Sequence, residues 1–262
     1  VALLLALFVG VPSASTVIEP GAAKAASGYW GVPTAVHQFC EPKYASSAYF
    51  AEFYNSLSSL IYVMVAAYAL TRPEIRQDAM VALSAVLVGV IGLGSIAFHG
   101  TMLFEYELCD EVPMLLFIAV ALCNKIGAHP LLVGRVNALV FAAAVVAATA
   151  ALTFIYIQFQ VYEVFVAGFT LLVILDTVLA LTWTSKQEVT NFARNLSIAC
   201  IVIGKSAWEV EVRACAAYGQ VWRLHVFWHI LSAASLYYGL LADMAARVDC
   251  DLSPACAGVM TV

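Results

Sequence analysis

Charged side chains are scarce in this sequence, and their scarcity excludes an ordinary water-soluble domain. Only 11% of the 262 residues are Asp, Glu, Lys or Arg, whereas 63% are hydrophobic. A soluble domain carries about 25% charged residues. Because so few charges cannot cover an aqueous surface, lipid must solvate much of the chain. The composition therefore predicts an integral membrane protein.

Clusters of Lys and Arg are also missing, and with them the usual signature of a nucleic-acid-binding surface. The formal net charge of −5 is too small to indicate a strongly acidic or basic partner. The chain contains no low-complexity segment and no convincing internal repeat. We expect a single membrane domain that binds no nucleic acid. Membrane-protein partners are not identified by these features.

Long apolar runs are abundant. A hydrocarbon core of about 30 Å needs about 20 apolar residues per helix. Seven stretches meet this requirement, namely residues 49–71, 79–99, 111–128, 131–153, 160–184, 190–211 and 221–246. The sequence thus predicts an all-α polytopic membrane protein. Residues 28–246 form a bundle of seven transmembrane helices, and residues 247–262 form a C-terminal tail.

The N-terminal segment, residues 1–27, is apolar and has two interpretations. Its first 15 residues are a short apolar run that ends in a Ser-Ala-Ser sequence. Such a pattern is typical of the end of a signal peptide. It is equally compatible with an additional helix that the protein retains.

Lys and Arg residues are distributed unevenly between the two faces of the predicted bundle, which indicates its orientation. Seven lie on the face of the first connection and the C-terminus, and five lie on the other face. The first group is Arg72, Arg76, Lys125, Arg135, Lys186, Arg194 and Arg247, and the second is Lys24, Lys43, Lys205, Arg213 and Arg223. This bias places the C-terminus in the cytosol and the N-terminal side in the lumen or outside the cell.

Three of the five histidines lie within predicted helices or at their rims: His99, His225 and His229. An ionisable side chain in the bilayer core costs at least about 2.5 kcal/mol, so such residues are candidates for function. His225 and His229 are four residues apart and share one helical face. This spacing allows two imidazoles to bind one metal ion. The alternative is that each histidine is an interfacial hydrogen-bonding residue.

Asp110 and His99 are predicted at the same membrane face as the start of the seventh helix, because neighbouring helices alternate in direction. Three histidines and an open fourth position are how a catalytic zinc ion is held. Asp110 could then transfer a proton. Ser95, one turn before His99, could donate a hydrogen bond to a developing oxyanion, although a serine between membrane helices also has a packing role.

Four groups of residues resemble the signatures of the alkaline ceramidases. The first group contains GYWG at 28–31, CE at 40–41 with Tyr44, and AEFYNSLS at 51–58. The second contains GSIAFH at 94–99 and LCDEVPM at 108–114. The third is WEVE at 208–211 with Cys215, and the fourth is HVFWHIL at 225–231. They occur in order and with family-like spacing from residue 28 to about 240.

The resemblance implies a seven-helix membrane hydrolase of the superfamily that includes the adiponectin-type receptors. It implies zinc bound by His99, His225 and His229, with Ser95 and Asp110 as the catalytic pair. The substrate would be a membrane lipid, ceramide or phytoceramide, cleaved to a sphingoid base and a fatty acid. The endoplasmic reticulum or the Golgi is the membrane that the resemblance suggests.

The sequence departs from the family at a calcium site that the resemblance places in the N-terminal loop. The matching positions are Gln38, Phe39, Glu41, Lys43 and Glu52, of which Gln38 and Lys43 replace expected oxygen ligands. Because Ca²⁺ takes six to eight oxygen ligands and an ammonium would repel it, we expect calcium binding to be lost. Lys43 then either supplies the positive charge between Glu41 and Glu52 or points into water.

Cys40 and Cys215 both fall on the predicted non-cytosolic face, where disulfides persist, and the resemblance implies that they are bridged. In the tail, Cys250 and Cys256 could pair, but their spacing alone proves little. Asp176 and Lys205 lie within predicted helices and are expected to face the bundle interior, in structural hydrogen-bonding roles.

Two alternatives to the enzyme remain at this level. The same fold could serve as a receptor with a structural zinc ion, or as a non-catalytic accessory subunit of a larger membrane complex. The presence of Ser95 and Asp110 beside the three histidines favours the enzyme.

Overall fold

A computed structural model of the protein describes residues 27–129, 137–183, 185 and 187–251. The helices of this part of the chain are, in order, α1 Phe53–Ser58, α2 Leu60–Thr71, α3 Pro73–Gln77, α4 Ala79–Thr101, α5 Phe104–Ala128, α6 Ala138–Phe159, α7 Tyr162–Thr182, α8 Glu188–Ala214 and α9 Arg223–Asp251. A short 3-10 helix, Gly219–Trp222, precedes α9. The all-α polytopic fold that the apolar runs predict is confirmed.

Five helical segments of the described residues are long and apolar enough to cross a membrane. They are Phe53–Thr71, which joins α1 and α2, then α4, α6, α7 and the segment Gly219–Val248. The long helices α5 and α8 run beside them but carry more charged residues. These charges include Asp110 and Glu111 on α5 and Glu209 and Glu211 on α8. Five of the seven predicted spans thus meet the length and composition expected of a membrane helix. The other two, α5 and α8, are long helices of the same bundle, and the count of seven stays a prediction.

The third predicted span corresponds to α5, which begins at Phe104 rather than at residue 111. The prediction began after Glu105, Glu107 and Asp110, but acidic residues are favourable in the first turns of a helix. The first predicted span, 49–71, corresponds to α1 and α2, and α1 begins at Phe53, four residues later than predicted. The chain before it is held outside the helix, because the amides of Ala51 and Glu52 donate hydrogen bonds to carbonyls at the end of α4.

The larger remaining differences in helix bounds are at the ends of α6, α8 and α9, and the bounds of α4 and α7 differ from the prediction by two residues. Helix α6 runs six residues beyond its predicted end and stops where Gln160 adopts a left-handed conformation with φ 51°. Helix α8 extends over Glu188–Ala214 rather than 190–211. Helix α9 reaches Asp251, five residues beyond the predicted span. At each of these ends the helix continues into polar residues beyond the apolar run. Hydropathy therefore predicts the apolar part of each helix but not where the helix ends.

Helices α4 and α5 approach each other closely at Gly94. A Cβ atom at this position would lie 2.0 Å from the carbonyl oxygen of Cys109 on α5. Only glycine permits such an approach, because any side chain would overlap the backbone of the other helix. Ser95 and Asp110 follow these two residues on their helices. The contact therefore sets the spacing between the hydroxyl and the carboxylate.

The segment before α1 covers one end of the bundle and is anchored at several points. The amides of Thr34 and Ala35 donate hydrogen bonds of 2.9 and 3.0 Å to the carbonyl of Met102 in the α4–α5 turn. The Glu107 carboxylate accepts from the amides of Val36 and His37 at 2.6 and 3.0 Å. These bonds satisfy backbone groups that would otherwise be unpaired in a loop. The loop is thereby fixed against the helix ends.

Candidate metal centre and catalytic site

Three buried histidines meet where the end of α4 faces the start of α9. His99 comes from α4, and His225 and His229 lie one turn apart at the start of α9. One ligand atom from each lies within 4.8 Å of the others. The three side chains are at most 2% exposed. Such a cluster can hold a metal ion, since convergent imidazoles without an ion would bury polar nitrogens with no gain.

Each of these histidines is held through its Nδ1 atom by a neighbouring side chain. His99 Nδ1 lies 2.6 Å from Glu52, His225 Nδ1 lies 3.1 Å from Glu211, and His229 Nδ1 lies 2.7 Å from the Ser58 hydroxyl. The engaged Nδ1 leaves Nε2 of each ring for a ligand. Carboxylates and hydroxyls in this position orient metal-binding imidazoles.

A lysine–glutamate pair stands beside His99. The Lys43 ammonium donates to the carbonyls of Phe39 and Glu41 at 2.6 and 3.0 Å and pairs with the Glu52 carboxylate. Burial raises the pKa of Glu52, but the Lys43 charge and the hydrogen bond from His99 outweigh burial and hold that pKa well below its usual range. Glu52 is therefore a carboxylate that links the ammonium to His99.

The predicted calcium-like positions are only partly brought together. Lys43 does not point into water, and it contacts Glu41 through the backbone rather than through the carboxylate. That carboxylate accepts hydrogen bonds of 2.8 and 2.9 Å from the amides of Tyr54 and Asn55, at the start of α1. Gln38 is exposed. The carbonyl oxygens of Phe39 and Glu41 and the Glu52 carboxylate thus bind the Lys43 ammonium, and the Glu41 carboxylate binds the amides at the start of α1.

Ser95 and Asp110 lie beside the histidines on facing helices. Both are buried, and the Ser95 hydroxyl lies close to the Asp110 carboxyl group. The Ser59 hydroxyl lies 3.0 Å from that of Ser95 and 3.4 Å from Nδ1 of His229. The structure therefore brings together all five residues that the sequence singled out for metal binding and catalysis. Ser59 also connects two of them, Ser95 and His229.

A disulfide joins Cys40 to Cys215, with 5.6 Å between their Cα atoms. Next to it, the amide of Cys40 donates to Glu211 at 2.9 Å. The loop is thereby tied to the end of α8, and the Phe39 ring packs 3.8 Å from the ring of His225. On the other side of Phe39, burial lowers the pKa of His37 to about 3, so its imidazole is neutral.

A cavity of about 140 Å³ begins at the histidines and continues between the helices. We call the end with His99, His225 and His229 the histidine end, and the end with Lys125, Asp176 and Asp243 the lysine end. Residues of both ends line the cavity, which is mostly apolar between them. Helix α5 contributes Asp110 beside the histidines and Lys125 at the lysine end. These two residues are about 22 Å apart along the helix, at about 1.5 Å per residue. The cavity thus extends through most of a membrane thickness.

Asp176 and Lys205 face the interior, as the sequence predicts. Asp176 pairs at 2.9 Å with Lys125, which also contacts Asp243 at 3.0 Å. Lys205 pairs with Glu209 at 2.5 Å and lies 4.0 Å above the ring of Trp208. Asp176 is therefore paired with a residue of a neighbouring helix, whereas the partners of Lys205 lie on its own helix, α8.

Some predictions lie outside the described residues. They are the two interpretations of residues 1–26, the start of the fourth helix at residues 131–136, the tail from residue 252, and the pairing of Cys250 with Cys256. Of the described partners of the histidines, sequence reasoning missed Ser58, Ser59 and Glu211, and it named Glu52 only as a calcium-like position. Glu211 carried a signal, since a carboxylate at the end of an apolar helix requires a partner.

The fold and site define an all-α membrane protein with a buried three-histidine centre beside a serine and an aspartate. The family profile described as Ceramidase matches residues 31–254, so the chain belongs to the ceramidase family. The resemblance seen in the sequence is confirmed.

Individual relatives agree with this membership. Alkaline ceramidase 3 of Mus musculus is 24% identical over 247 residues, which cover 84% of this chain and 86% of that protein. Alkaline ceramidase YPC1 of Saccharomyces cerevisiae is 22% identical over 251 residues, with 84% and 79% covered. Alkaline ceramidase of Arabidopsis thaliana is 32% identical over 90 residues, with 34% and 35% covered.

Proposed function

We propose that this protein is an intramembrane zinc-dependent amidase that hydrolyses ceramide or phytoceramide to a sphingoid base and a fatty acid. The observation that carries the proposal is the convergence of three buried histidines, Ser95 and Asp110 at one end of a long apolar cavity. Membership of the ceramidase family and the names of the relatives supply the substrate class.

The donor set suits zinc. His99, His225 and His229 would hold the ion, because three imidazoles with engaged Nδ1 atoms are a common ligand set of catalytic zinc. When bound, zinc supplies a Lewis acid that polarises a carbonyl and brings the pKa of water near 7. A fourth position is left for water and substrate, since no fourth residue joins the three histidines among the residues described.

Asp110 and Ser95 account for the proton and charge movements of amide hydrolysis. Cleavage breaks the C–N bond, forms a C–O bond with water and moves one proton from water to the departing nitrogen. Asp110 is positioned to accept that proton and to deliver it to the amine. The Ser95 hydroxyl can donate a hydrogen bond to the carbonyl oxygen as negative charge develops there.

The cavity suits a lipid with long hydrocarbon chains. Its walls between the two ends include Ile91, Phe117, Ile118, Phe169 and Val173. Burying hydrocarbon against such walls contributes about 25 cal/mol per Å². The polar amide is then held at the histidine end while the acyl chain extends away from it.

Lys43 supplies the positive charge that a calcium ion would supply next to Glu52. Its ammonium already engages two carbonyls and one carboxylate. We therefore infer that activity needs no calcium. The disulfide of Cys40 with Cys215 supports a non-cytosolic location for the histidine end. This agrees with the orientation that the Lys and Arg distribution predicts, in an endoplasmic reticulum or Golgi membrane.

The test is release of sphingoid base from a panel of ceramides in detergent, together with zinc analysis of the purified protein. We expect one zinc ion per chain and turnover that His225→Ala abolishes along with most of the zinc. Zinc without turnover of any ceramide would contradict the amidase and favour a receptor-like protein. Co-purifying subunits in that case would favour the accessory-subunit alternative.

A further inference from the structure

Four buried polar atoms at or near the histidine end make no hydrogen bond of good geometry to any described residue: Oε2 of Glu111, the hydroxyls of Tyr156 and Tyr162, and Nε2 of His37. The Tyr156 hydroxyl lies close to the Glu111 carboxyl group. Glu111 is only 4% exposed. A buried polar atom without a partner costs about 1–3 kcal/mol, and more than about 90% of such atoms are paired in folded proteins. Two of the four residues, Glu111 and Tyr162, line the cavity, where a ligand can complete their hydrogen bonds.

These atoms lie next to the proposed catalytic residues. Glu111 follows Asp110 on α5, and Glu111 and Tyr162 line the same cavity as Ser95 and His225. The His37 ring stacks on the Tyr162 ring with 4.0 Å between centroids and 8° between planes. This stacking fixes the plane of the tyrosine, so its hydroxyl has a defined position at the cavity wall.

The segment before α1 is anchored to α5 by Glu107 and not by Glu111. Both carboxylates project from α5, one helical turn apart, but Glu107 is satisfied by the amides of Val36 and His37. Tyr156 lies against both carboxylates and is fully buried. The Tyr156 hydroxyl can pair with one of these carboxyl groups, and Glu111, unlike Glu107, also lines the cavity.

The chemistry of the two cavity-lining groups specifies the ligand. A carboxyl group accepts hydrogen bonds and, when protonated, also donates one, and a tyrosine hydroxyl both donates and accepts, so both groups can pair with a hydroxyl. We propose that Glu111 and Tyr162 form a subsite for the hydroxyl groups on the amine side of the lipid amide. The subsite makes the protein selective for hydroxylated amides such as ceramide over otherwise identical amides that lack a hydroxyl. This inference rests on the proposed function and names its specificity determinant.

The activity test compares ceramide with 1-deoxyceramide, which lacks the terminal hydroxyl. We expect the wild type to favour ceramide by at least about 100-fold in kcat/KM, because a site built for a hydroxyl rejects its absence strongly. Tyr162→Phe and Glu111→Gln should each reduce that preference at least about tenfold. An unchanged preference in both variants would overturn the subsite.

Thermal stability separates a ligand subsite from a structural role. If the hydroxyl of Tyr162 has no partner in the free protein, Tyr162→Phe will leave Tm unchanged or raise it. The matched control is Tyr62→Phe, since the Tyr62 hydroxyl is hydrogen-bonded to Ser232 at 2.6 Å. That variant should lower Tm and keep the preference for ceramide. A drop in Tm for Tyr162→Phe without a change of preference would mean that the hydroxyl binds internal water and serves stability only.

Lipid binding, measured as a shift in Tm, tests the subsite in a protein that does not turn over its substrate. In His225→Ala protein, ceramide should raise Tm more than 1-deoxyceramide does, and adding Tyr162→Phe should remove the difference. Equal shifts by both lipids in His225→Ala would reject the subsite. If the wild type hydrolyses neither lipid but this difference is seen, the proposed amidase fails while the hydroxyl subsite stands.

Discussion

The two ends of the cavity bury polar groups in opposite ways. At the lysine end, Lys125 is neutralised by ion pairs of 2.9 and 3.0 Å with Asp176 and Asp243, although Oδ1 of Asp176 has no partner of hydrogen-bond geometry. At the histidine end, Glu111 and Tyr162 line the cavity with polar atoms that make neither an ion pair nor a hydrogen bond of good geometry to a described residue. Ion pairs between buried groups hold helices together, whereas a polar group without a partner is tolerated where a ligand completes its bonds. We therefore assign a structural role to the lysine end and ligand binding to the histidine end.

Asp110→Asn should give the largest loss of turnover, because it removes the proposed proton carrier at the histidine end and keeps the shape of the side chain. We expect kcat to fall about 10²–10⁴-fold, with Tm unchanged or higher because a buried acid is removed. Steady-state hydrolysis and a thermal melt measure the two effects. Activity within tenfold of wild type would remove Asp110 from the reaction.

Gly94→Ala should come next. The added Cβ would lie 2.0 Å from the Cys109 carbonyl oxygen, so α4 and α5 must move apart. A displacement of about 1 Å at the reacting groups costs about 100-fold in rate, and overpacking costs about 1–3 kcal/mol of stability.

Gly100→Ala in the same helix is the matched control for Gly94→Ala. Its Cβ would meet the Phe50 ring at 3.4 Å, an ordinary contact. The two variants are compared by melting temperature and by rate. Equal behaviour would show that the α4–α5 approach does not set the site.

Lys43→Met tests the tethered ammonium at the histidine end. Without it, Glu52 loses its cation and holds His99 less firmly, so we expect zinc affinity to fall about 10–100-fold. Competition with a chelator of known affinity measures this change. Lys43→Arg, which keeps the charge, is the control. Wild-type Tm and activity should not respond to millimolar calcium, and a clear rise of either would show that a calcium site persists.

Asp243→Asn should have the smallest effect on turnover and a clear effect on stability. Breaking a buried ion pair costs about 3–5 kcal/mol, and the loss here should be smaller because Asp176 still neutralises Lys125. We expect a lower Tm and a loss of kcat below tenfold, the reverse of Asp110→Asn. A large kcat loss with unchanged Tm would make the lysine end part of the binding site.

The sequence predicts the helical membrane fold and the convergence of the histidines because both follow from one-dimensional patterns. Hydropathy marks the apolar runs, and alternating helix directions bring His99 and Asp110 to the face of His225. The partners of the imidazoles could not be predicted in this way. Ser58 and Glu211 reach His229 and His225 only through the packing of α1 and α8 against α9. Helix bounds erred where charged residues continue a helix past its apolar run.

The role of Glu111 was also beyond sequence reasoning. In the sequence, Glu107 lies just before the predicted span 111–128 and Glu111 lies at its start, and nothing indicates which of the two acids binds other groups. Only the docked loop distinguishes them, since it supplies amides to Glu107. An unsatisfied atom is a property of three-dimensional packing, so no periodicity in the chain reveals it.

The disulfide between Cys40 and Cys215 spans 175 residues, and this separation governs when the protein can be completed during its synthesis. At about 5–20 residues per second, Cys40 waits roughly 10–35 seconds for its partner to be made. His225 and His229 follow Cys215 in the chain, so the histidine centre assembles after every other helix has been made. A chain that ends before His225 therefore lacks two of the three histidines, so the metal centre can form only late in synthesis.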